Sequence, residues 1–324
     1  MARFVVARLL WALFLFVVAT LVTYLIFFVI PNDPAGITAK YVLTPALLDH
    51  IHHELHLDVP VYQQYWIFLW NMIRHGSLGY SFANGASVRW IIGQDAPVTA
   101  SLVLGGAFLW LAVSIPIGIL SALRPRSPAD RAAMAVVLVG ISAPAVWIGL
   151  ILAYVVGFRL GWTPIAGYCD FFPAHQVGAC SGPGQWAYHL LLPWTTFMFL
   201  FAALYVRLIR ASVMETMTED YVRTARAKGA PGSHVLVHHV LRNSLLPVVT
   251  ILGMDLGLAL GGAVFTESVF DLHGLGVELV TAALNHDLPL VVGIVVFATI
   301  AVIVCNFVVD VTYAWLDPRI RLEA

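Results

Sequence analysis

Six long apolar runs divide the chain, and polar segments of very different length separate them. A helix needs about 20 apolar residues to cross the hydrocarbon core of a bilayer, and each run reaches that length. The runs cover residues 4–30, 98–123, 132–158, 189–209, 245–270 and 288–315. The pattern therefore predicts an all-α membrane protein with six transmembrane helices.

The first apolar run has two possible interpretations. Arg3 and Arg8 stand at its beginning, as basic residues do in a signal peptide. The run is longer than the apolar part of a signal peptide, however, and no small-residue cleavage site ends it. We therefore expect it to be retained as an N-terminal transmembrane helix.

Basic residues are distributed unevenly between the loops. Of the 17 Lys and Arg residues, all but four lie before or at the start of span one, between spans two and three, at the end of span four or between spans four and five, or after span six. The exceptions are Lys40, Arg74, Arg89 and Arg159. Because basic residues accumulate on the cytoplasmic side of membranes, both termini and the central loop are predicted to be cytoplasmic.

The segment between the first two spans falls on the opposite, extracytoplasmic side in this topology. Residues 62–73 are rich in Trp and Tyr, which collect at the headgroup level of membranes. The glycines at Gly76, Gly79 and Gly85 indicate turns. We predict an extracytoplasmic helical segment that ends at a boundary near residue 97.

Composition agrees with a membrane protein and excludes two other classes. Hydrophobic residues make up 60% of the chain and charged residues 11%, whereas soluble domains carry about 25% charged residues. A net charge of −1 provides no strong positive field for nucleic acid. Neither lysine, Lys40 or Lys228, follows a glycine, so no Gly-Lys-Ser/Thr phosphate loop is present and the chain is not itself a P-loop ATPase.

The polar segment at residues 214–247 has the pattern of a short helix pair. Thr216 and Glu219 have the spacing of a capping box, which predicts a helix start. Gly229 fits the left-handed residue that follows a helix, and Pro231 prevents further continuation. An ordinary basic loop is the alternative, but such a loop does not require a helix–Gly–turn–helix pattern.

Charges in this segment lie where a helix favours them. Asp220 falls in the first turn of the predicted helix and Arg226 in the last, which matches the sign of the helix dipole at each end. A second helix should follow, because Val237, Val240 and Leu241 share one face at helical spacing. Together the two helices would form an amphipathic pair on a membrane surface.

This segment resembles the cytoplasmic coupling loop of ABC importer permeases, and most of all the dipeptide/oligopeptide/nickel branch. The resemblance rests on residues 220–229, DYVRTARAKG, and on residues 239–249, HVLRNSLLPVV. It extends through residues 261–267 and 274–276 to residues 316–321. It covers roughly the whole chain and is specific in the last third.

Two departures from the wider importer family bear on the substrate. Where that family has Glu-Ala-Ala, this chain has Arg223-Thr224-Ala225, and Pro247 falls later than the general pattern expects. Both departures look like the variant of the peptide branch. They leave the coupling role intact and make a sugar or amino-acid permease less favoured.

The resemblance implies a type I ABC importer (MetI-like) transmembrane domain over residues 97–315, with the coupling loop at residues 214–247. Residues 1–96 would add the N-terminal transmembrane helix and the extracytoplasmic segment, and residues 316–324 a cytoplasmic tail. The resemblance also implies that the coupling loop contacts an ATPase. The residues expected at that contact are Asp220, Tyr221, Arg223, Thr224, Ala225, Lys228 and Gly229.

The implied function is that of a permease subunit of an ATP-driven importer, which forms half of the membrane path for short peptides by alternating access. The implied partners are a second, homologous permease, two cytoplasmic ATPases that hold ATP and Mg, and an extracytoplasmic substrate-binding lipoprotein. The location would be a bacterial cell membrane, and no cofactor or metal is expected in this chain. Nickel, haem or another small solute is the alternative substrate.

Candidate path residues lie in and after the fifth apolar run. Gly257 and Gly261 continue a four-residue spacing from Gly253, and such a stripe either packs closely on a neighbouring span or lines the path. Asp255 is an ionisable group at membrane depth, which faces a cavity or a hydrogen-bonding neighbour. Glu267, in a segment that resembles the family, completes the set.

The cysteines suggest a disulfide outside the membrane. Cys169 and Cys180 share the loop between spans three and four, which the charge pattern places in an oxidising compartment. Closing a loop of this size contributes about 3 kcal/mol in the chain-entropy model. Two free thiols are the alternative, and Cys305 is expected to pack within an apolar span.

Two other function classes are alternatives. Histidines cluster at residues 50–56, and His52 and His56 could chelate a metal on a helix, which would suit a membrane metalloenzyme. The order differs from the His-Glu-x-x-His of zinc peptidases, so a solvated face is the favoured interpretation. An ATP-independent channel or carrier is the other class. Neither explains the segment that resembles a coupling loop.

Overall fold

The computed structural model describes residues 2–26, 59–81, 83–172 and 180–316, which are mostly helical. The α-helices are α1 (Ala2–Tyr24), α2 (Val61–His75), α3 (Val88–Leu123), α4 (Pro128–Ser142), α5 (Ala145–Leu152), α6 (Pro183–Thr216), α7 (Asp220–Ala227), α8 (Gly232–His234), α9 (Arg242–Ser244), α10 (Leu246–Gly262), α11 (Val264–Val269), α12 (Leu275–Leu284) and α13 (Leu288–Leu316). Two π-helical segments continue α5 and join α8 to α9, at Ala153–Arg159 and Val235–Leu241. The predicted all-α class is confirmed.

Three helices are long and apolar enough to cross a membrane within the described residues: α3, α6 and α13 as far as Val309. Two bent pairs also pass the same test, Pro128–Ser142 with Ala145–Arg159 and Gly232–Ser244 with Leu246–Leu260. The described chain thus holds three to five candidate spans. The apolar stretch of α1, Arg8–Tyr24, is shorter, and the count of six remains a prediction.

Proline breaks the third apolar run, which the hydrophobic pattern alone predicted as one span. Pro144 follows Ala143, whose backbone is extended with φ −90° and ψ 130°, because a proline ring disfavours helical geometry in the residue before it. Helix α4 therefore ends at Ser142. The chain turns by 107° before it continues in α5.

One compact unit comprises residues 1–99, 260–264 and 273–304. In it, β1 (Tyr80–Ser81) and β2 (Ala86–Ser87) form a small antiparallel hairpin that turns at Gly85, where φ is +64°. The start of α3 packs with α12 and with the start of α13. The buried residues of this cluster are Val88, Ile91, Ile92, Leu275, Ala282, Leu290, Val291 and Ile294.

The front of the same unit pairs α1 with α2. The Tyr24 hydroxyl donates a hydrogen bond to Gln64 Oε1 at 3.0 Å, and the hydroxyls of Thr20 and Tyr65 lie 2.9 Å apart. The sequence predictions on the histidines at residues 50–56 lie outside the described residues, as does most of the tail at residues 316–324.

The other compact unit comprises residues 100–259, 265–272 and 305–324. Trp110 of α3 stacks on Phe201 of α6 with ring centroids 4.5 Å apart. A Cβ at Gly140 of α4 would lie 3.2 Å from the Cβ of Ala203 of α6, so this glycine permits close contact of the two helices. These contacts hold α3, α4 and α6 together. The predicted boundary near residue 97 remains a prediction.

Candidate functional site

Helix α7 and the two residues that follow it carry the predicted coupling residues, and the helix begins at Asp220 rather than at the predicted cap. Glu219 is the N-cap residue, with φ −65° and ψ 147°, and its side chain makes no capping bond. Thr216 is still the last residue of α6, and its hydroxyl donates to the carbonyl of Ser212 at 2.8 Å. Because a helical threonine can bond back to its own preceding turn, it is not available as a cap. The predicted capping box is therefore wrong.

The C-terminal end of α7 is a Schellman motif. The Gly229 amide donates to the carbonyl of Arg226 at 3.0 Å, and the Ala230 amide donates to the carbonyl of Ala225 at 3.2 Å. Gly229 has φ +83°, which is the left-handed geometry that the sequence predicted at this position. A Cβ at Gly229 would meet no atom within 4 Å, so the chain leaves open space there.

The predicted coupling residues share an exposed surface, which the single buried residue of α7, Val222, attaches to the rest of the chain. Asp220 and Arg223 form an exposed ion pair at 3.7 Å, which contributes little to stability because water screens it. The exposed members of the set are Asp220, Tyr221, Arg223, Thr224, Lys228 and Gly229, and Ala225 is partly exposed.

The helical segment after Pro231 differs from the predicted amphipathic helix. The π-helical segment Val235–Leu241 buries Val235 and Val240, while Val237 is 55% exposed. The reason is that a π-helix turns more slowly than an α-helix and brings residues five apart onto one face. The predicted shared face of Val237 and Val240 is therefore wrong. Asn243 Nδ2 donates to the Tyr221 hydroxyl at 2.8 Å, which fixes α7 on this segment.

Among the predicted path residues, Asp255 of α10 has a hydrogen-bonding neighbour on another span. The hydroxyl of Tyr205, which is fully buried in α6, donates to Asp255 Oδ2 at 2.8 Å. Asp255 is itself partly exposed. A partly exposed carboxylate with a buried donor is compatible with either of the two interpretations that the sequence left open.

The glycine stripe and Glu267 have different surroundings. A Cβ at Gly253 would lie 2.8 Å from Val309 Cγ2, so at this position the stripe permits close packing of α10 on α13. Gly257 is buried, and Gly261 lies near the end of α10. Glu267 is fully buried in α11, and its carbonyl accepts from the Leu272 amide at 2.9 Å.

Cys169 and Cys180 are joined by a disulfide in the structure, with their Cα atoms 5.2 Å apart. Cys169 is 1% exposed, and His189 Nδ1 lies 3.2 Å from its sulfur. In the described part of the chain, these three form the only group of three or more His, Cys, Asp or Glu side chains close enough together to hold a metal ion. The disulfide uses both sulfurs, which leaves the histidine as a lone ligand.

A buried carboxylate at the start of α4 was not identified from the sequence. Arg210 of α6 donates to Asp130 from Nε at 2.7 Å and from Nη2 at 3.0 Å, a bidentate pair. Asp130 also accepts hydrogen bonds from the hydroxyl of Ser121 in α3 and from the amide of Arg126, the latter at 2.8 Å. Ser127 caps α4 by accepting from the Asp130 amide at 3.1 Å. That cap spacing was the available signal, but it does not reveal the partner eighty residues away.

A second buried carboxylate lies at the start of α13. Asp287 is 1% exposed and accepts a hydrogen bond from the hydroxyl of Ser81 in β1. Burial raises the pKa of the Asp287 carboxyl, while the bonds from Ser81 and from the amides of Leu290 and Ala83 partly oppose this shift. Asn84 next to the hairpin turn donates to Glu278 Oε1 at 2.9 Å. These bonds tie the hairpin to α12 and α13.

Two family profiles match the chain. The inner membrane component of binding-protein-dependent transport systems matches residues 114–322, and the N-terminal part of such a membrane component matches residues 1–103. The chain belongs to this family. It is a multi-pass membrane permease component of an ABC importer, and such components are not themselves enzymes. The family implies ATPase and substrate-binding partners in the transporter complex.

Relatives align with almost the full length of the chain. The Probable D,D-dipeptide transport system permease protein DdpB of Escherichia coli (strain K12) is 36% identical, over 96% of this chain and 95% of that protein. The Probable peptide ABC transporter permease protein y4tP of Sinorhizobium fredii is 32% identical, over 99% of this chain and all of that protein. The family assignment therefore includes both the N-terminal and the C-terminal parts of the chain.

A solved structure shares the fold. A chain from the MetNI methionine ABC transporter, in inward facing conformations, aligns with a TM-score of 0.51 at 16% identity, over 71% of this chain and 97% of that chain. The likeness supports the predicted type I importer fold.

Proposed function

We propose that the chain forms half of the membrane path of an ATP-driven importer of short peptides. The observation that carries this proposal is the similarity over 96% of the chain to a protein whose name specifies D,D-dipeptide transport. The peptide permease of Sinorhizobium fredii supports the same substrate class. Nickel, haem or another small solute remains the alternative substrate, because no path residue described above is selective for a peptide.

The coupling site in this proposal is the exposed surface of α7. Ala225 and Gly229 are four residues apart and small, so they suit close contact with a groove on an ATPase. The contact made by Ala225 and Gly229 is flanked by Asp220, Tyr221 and Arg223. It also includes Thr224 and Lys228. The open space around Gly229 supports this arrangement, because docking needs an unobstructed approach.

Alternating access would follow from movement of α7. Closure of the ATPases on ATP displaces the helix, and the displacement changes the relative positions of the spans around the path. ATP and Mg bind to the partner subunits in this scheme. Displacement of α7 can shift the permease between its inward and outward states only if the ATPases bind the two states with different free energy. The contact at α7 must therefore differ between these states.

The path would include Asp255, Gly257, Gly261 and Glu267. Asp255 is the member most suited to contact solute or water, since part of its side chain is exposed while Tyr205 holds one oxygen. The positively charged amino group of a peptide is a suitable partner for a carboxylate inside the membrane.

The complete transporter would contain a second, homologous permease in a heterodimer, two cytoplasmic ATPases and an extracytoplasmic substrate-binding lipoprotein. It would lie in a bacterial cell membrane with both termini of this chain in the cytoplasm. Residues 1–96 would form the N-terminal helix and extracytoplasmic segment, residues 97–315 the transport domain, and residues 316–324 the tail.

Reconstitution of the complete complex in liposomes tests the proposal. We expect uptake of a labelled dipeptide that requires ATP on the ATPase side and the binding protein on the other side. A mutation of the ATPase phosphate-binding lysine serves as the control for ATP dependence. Uptake that continues without ATPase subunits would contradict the importer mechanism. ATP-driven uptake of nickel or haem, with none of peptide, would overturn the substrate class alone.

A further inference from the structure

The Asp130–Arg210 ion pair connects three parts of the chain through one carboxylate. Asp130 accepts from Ser121 in α3, from the amide of Arg126 in the α3–α4 turn, and from both Nε and Nη2 of Arg210 in α6. Asp130 is only 4% exposed, and its two oxygens carry four hydrogen bonds between them. The carboxylate is thus fully used within the protein.

The α3–α4 turn is shaped around this carboxylate. Arg126 has φ +63°, a left-handed geometry that residues with a Cβ rarely adopt. It is this geometry that carries the amide donating to Asp130 at 2.8 Å. Such a backbone persists only where surrounding contacts hold it, and the bond to Asp130 is one of those contacts.

Arg210 lies close to the proposed coupling helix along the chain. Helix α6 continues without a break from Arg210 to Thr216, and α7 begins at Asp220. The six residues from Arg210 to Thr216 correspond to about 9 Å of helix. Along α6, Arg210 therefore lies nearer to α7 than Tyr205 does.

Apolar packing alone provides weaker positional control at this level. Above the ion pair, α4 and α6 contact each other through Val137, Ala203 and Val206, which are small or smooth side chains. Apolar contact is non-directional, whereas a bidentate arginine–carboxylate pair fixes both distance and angle. Buried ion pairs are poor sources of net stability, so a positional role suits this one better than a purely stabilising role.

We propose that the Asp130–Arg210 pair is the positioning contact that makes the α3–α4 turn move with α6 when α7 is displaced. It transmits the movement of the coupling helix from α6 directly to α3 and α4, whose connection along the chain runs only through α5. This inference rests on the proposed function as an ATP-driven permease.

The first test compares uptake with ATP hydrolysis in the reconstituted complex. Arg210→Gln removes the charge and the bidentate contact, and Arg207→Gln is the matched control, an exposed arginine one turn earlier on α6. We expect Arg210→Gln to lower solute uptake per ATP hydrolysed by about two- to thirty-fold, the range of mutations in coupling networks, while Arg207→Gln has little effect.

A merely structural role predicts a different result. In that case Arg210→Gln would reduce assembly or thermal stability, and the complexes that do assemble would keep the wild-type ratio of uptake to hydrolysis. A wild-type ratio of uptake to hydrolysis in the assembled Arg210→Gln complexes would overturn the inference. If the wild-type complex itself shows no ATP-dependent uptake, the proposed function fails instead, so the two failures are distinguishable.

A cross-linking experiment covers the possibility that Arg210→Gln does not assemble. The pair Asp130→Cys/Arg210→Cys, in a Cys305→Ser background, is joined by a thiol cross-linker of matching length. If the α3–α4 turn and α6 move together, cross-linking should restore the solute uptake per ATP hydrolysed that the double-cysteine variant has lost. Loss of the remaining uptake on cross-linking would mean that the two parts separate during the cycle, and would overturn the inference.

Discussion

The hydroxyl of Tyr205 donates to Asp255 Oδ2 at 2.8 Å, which joins a fully buried side chain of α6 to a partly exposed carboxylate of α10. The two residues are fifty positions apart, and each lies in a long apolar run. The bond supplies the hydrogen-bonding neighbour that a carboxylate at membrane depth requires. Mutagenesis distinguishes this structural role from contact with the solute.

Two substitutions separate these roles. Tyr205→Phe removes only the hydroxyl and should lower the unfolding free energy by about 0.5–1.5 kcal/mol, the net contribution of one hydrogen bond to a partly exposed acceptor. Asp255→Asn keeps an acceptor for Tyr205 and removes the charge. If Asp255 belongs to the path, Asp255→Asn should lower uptake with little loss of thermal stability. Wild-type uptake by Asp255→Asn would assign the carboxylate a structural role only.

The Asp287 carboxyl predicts a pH dependence of stability. Its folded-state pKa is raised because the side chain is buried, so folding favours the neutral form. The associated stabilisation is complete below the ordinary carboxyl pKa of about 4 and is lost as the pH rises through the raised value. Thermal unfolding in detergent at a series of pH values measures this effect.

Asp287→Asn provides the comparison. It stays neutral at every pH, so wild type should lose stability relative to Asp287→Asn as the pH rises from about 4 towards neutrality. Asp271→Asn is a matched control, since Asp271 is exposed and its left-handed backbone, with φ +51°, also suits asparagine. Wild type that gains stability relative to Asp287→Asn over this range would show that the fold favours the ionised carboxylate.

The Cys169–Cys180 disulfide predicts a specific alkylation pattern. Denatured protein prepared without reductant should take up one alkyl group, on Cys305, and reduced protein should take up three, one on each cysteine. Mass spectrometry distinguishes these products. Reduction should also lower the unfolding free energy by about 3 kcal/mol in the chain-entropy model. Recovery of three alkylated thiols without reductant would end the prediction.

Membrane topology can be tested by labelling single cysteines. In a Cys305→Ser background, Ala86→Cys in the β-hairpin should react with an impermeant thiol reagent added outside cells, and Ala2→Cys should react only after the membrane is opened. The reason is the concentration of basic residues in the loops that are predicted to be cytoplasmic. The reverse labelling pattern would place α7 outside the cell and remove the basis of the coupling proposal.

The sequence predicted features that depend on neighbouring residues. Glycine at Gly229 after a helix and glycine at Gly85 in a short polar turn both have the positive φ that such positions require. The long apolar runs of α3, α6 and α13 predicted helices because periodicity and length are local properties. The capping box at Thr216 failed because α6 extends further than the local pattern suggests.

Long-range contacts were beyond the reach of local patterns. Nothing near Asp130 in the sequence indicates Arg210, and nothing near Ser81 indicates Asp287, because each pair is formed by the packing of separate helices. The π-helical segment that buries Val235 and exposes Val237 is a further case, because the hydrophobic pattern predicts an α-helical period there. These contacts determine which charges are buried, so the candidate sites required the structure.

Gly229 provides the most direct test of the coupling helix. Its left-handed backbone, with φ +83°, costs a non-glycine residue about 1–2 kcal/mol, and a side chain there would project into open space. Gly229→Asp should therefore add strain, bulk and charge at the proposed contact without disturbing the apolar core. We expect the membrane spans to fold normally and co-purification with the ATPase, or solute-stimulated ATP hydrolysis, to be lost.

Two controls separate the causes of that loss. Gly229→Asn isolates the added charge, since asparagine is uncharged, has nearly the same size as aspartate and likewise visits left-handed geometry, and it should retain more activity than Gly229→Asp. Gly232→Asp adds the same side chain three residues later, at an exposed glycine with ordinary φ and open surroundings, and should behave like wild type. If the Gly229→Asp complex assembles and hydrolyses ATP with wild-type stimulation, then α7 is not the element that couples this permease to its ATPase.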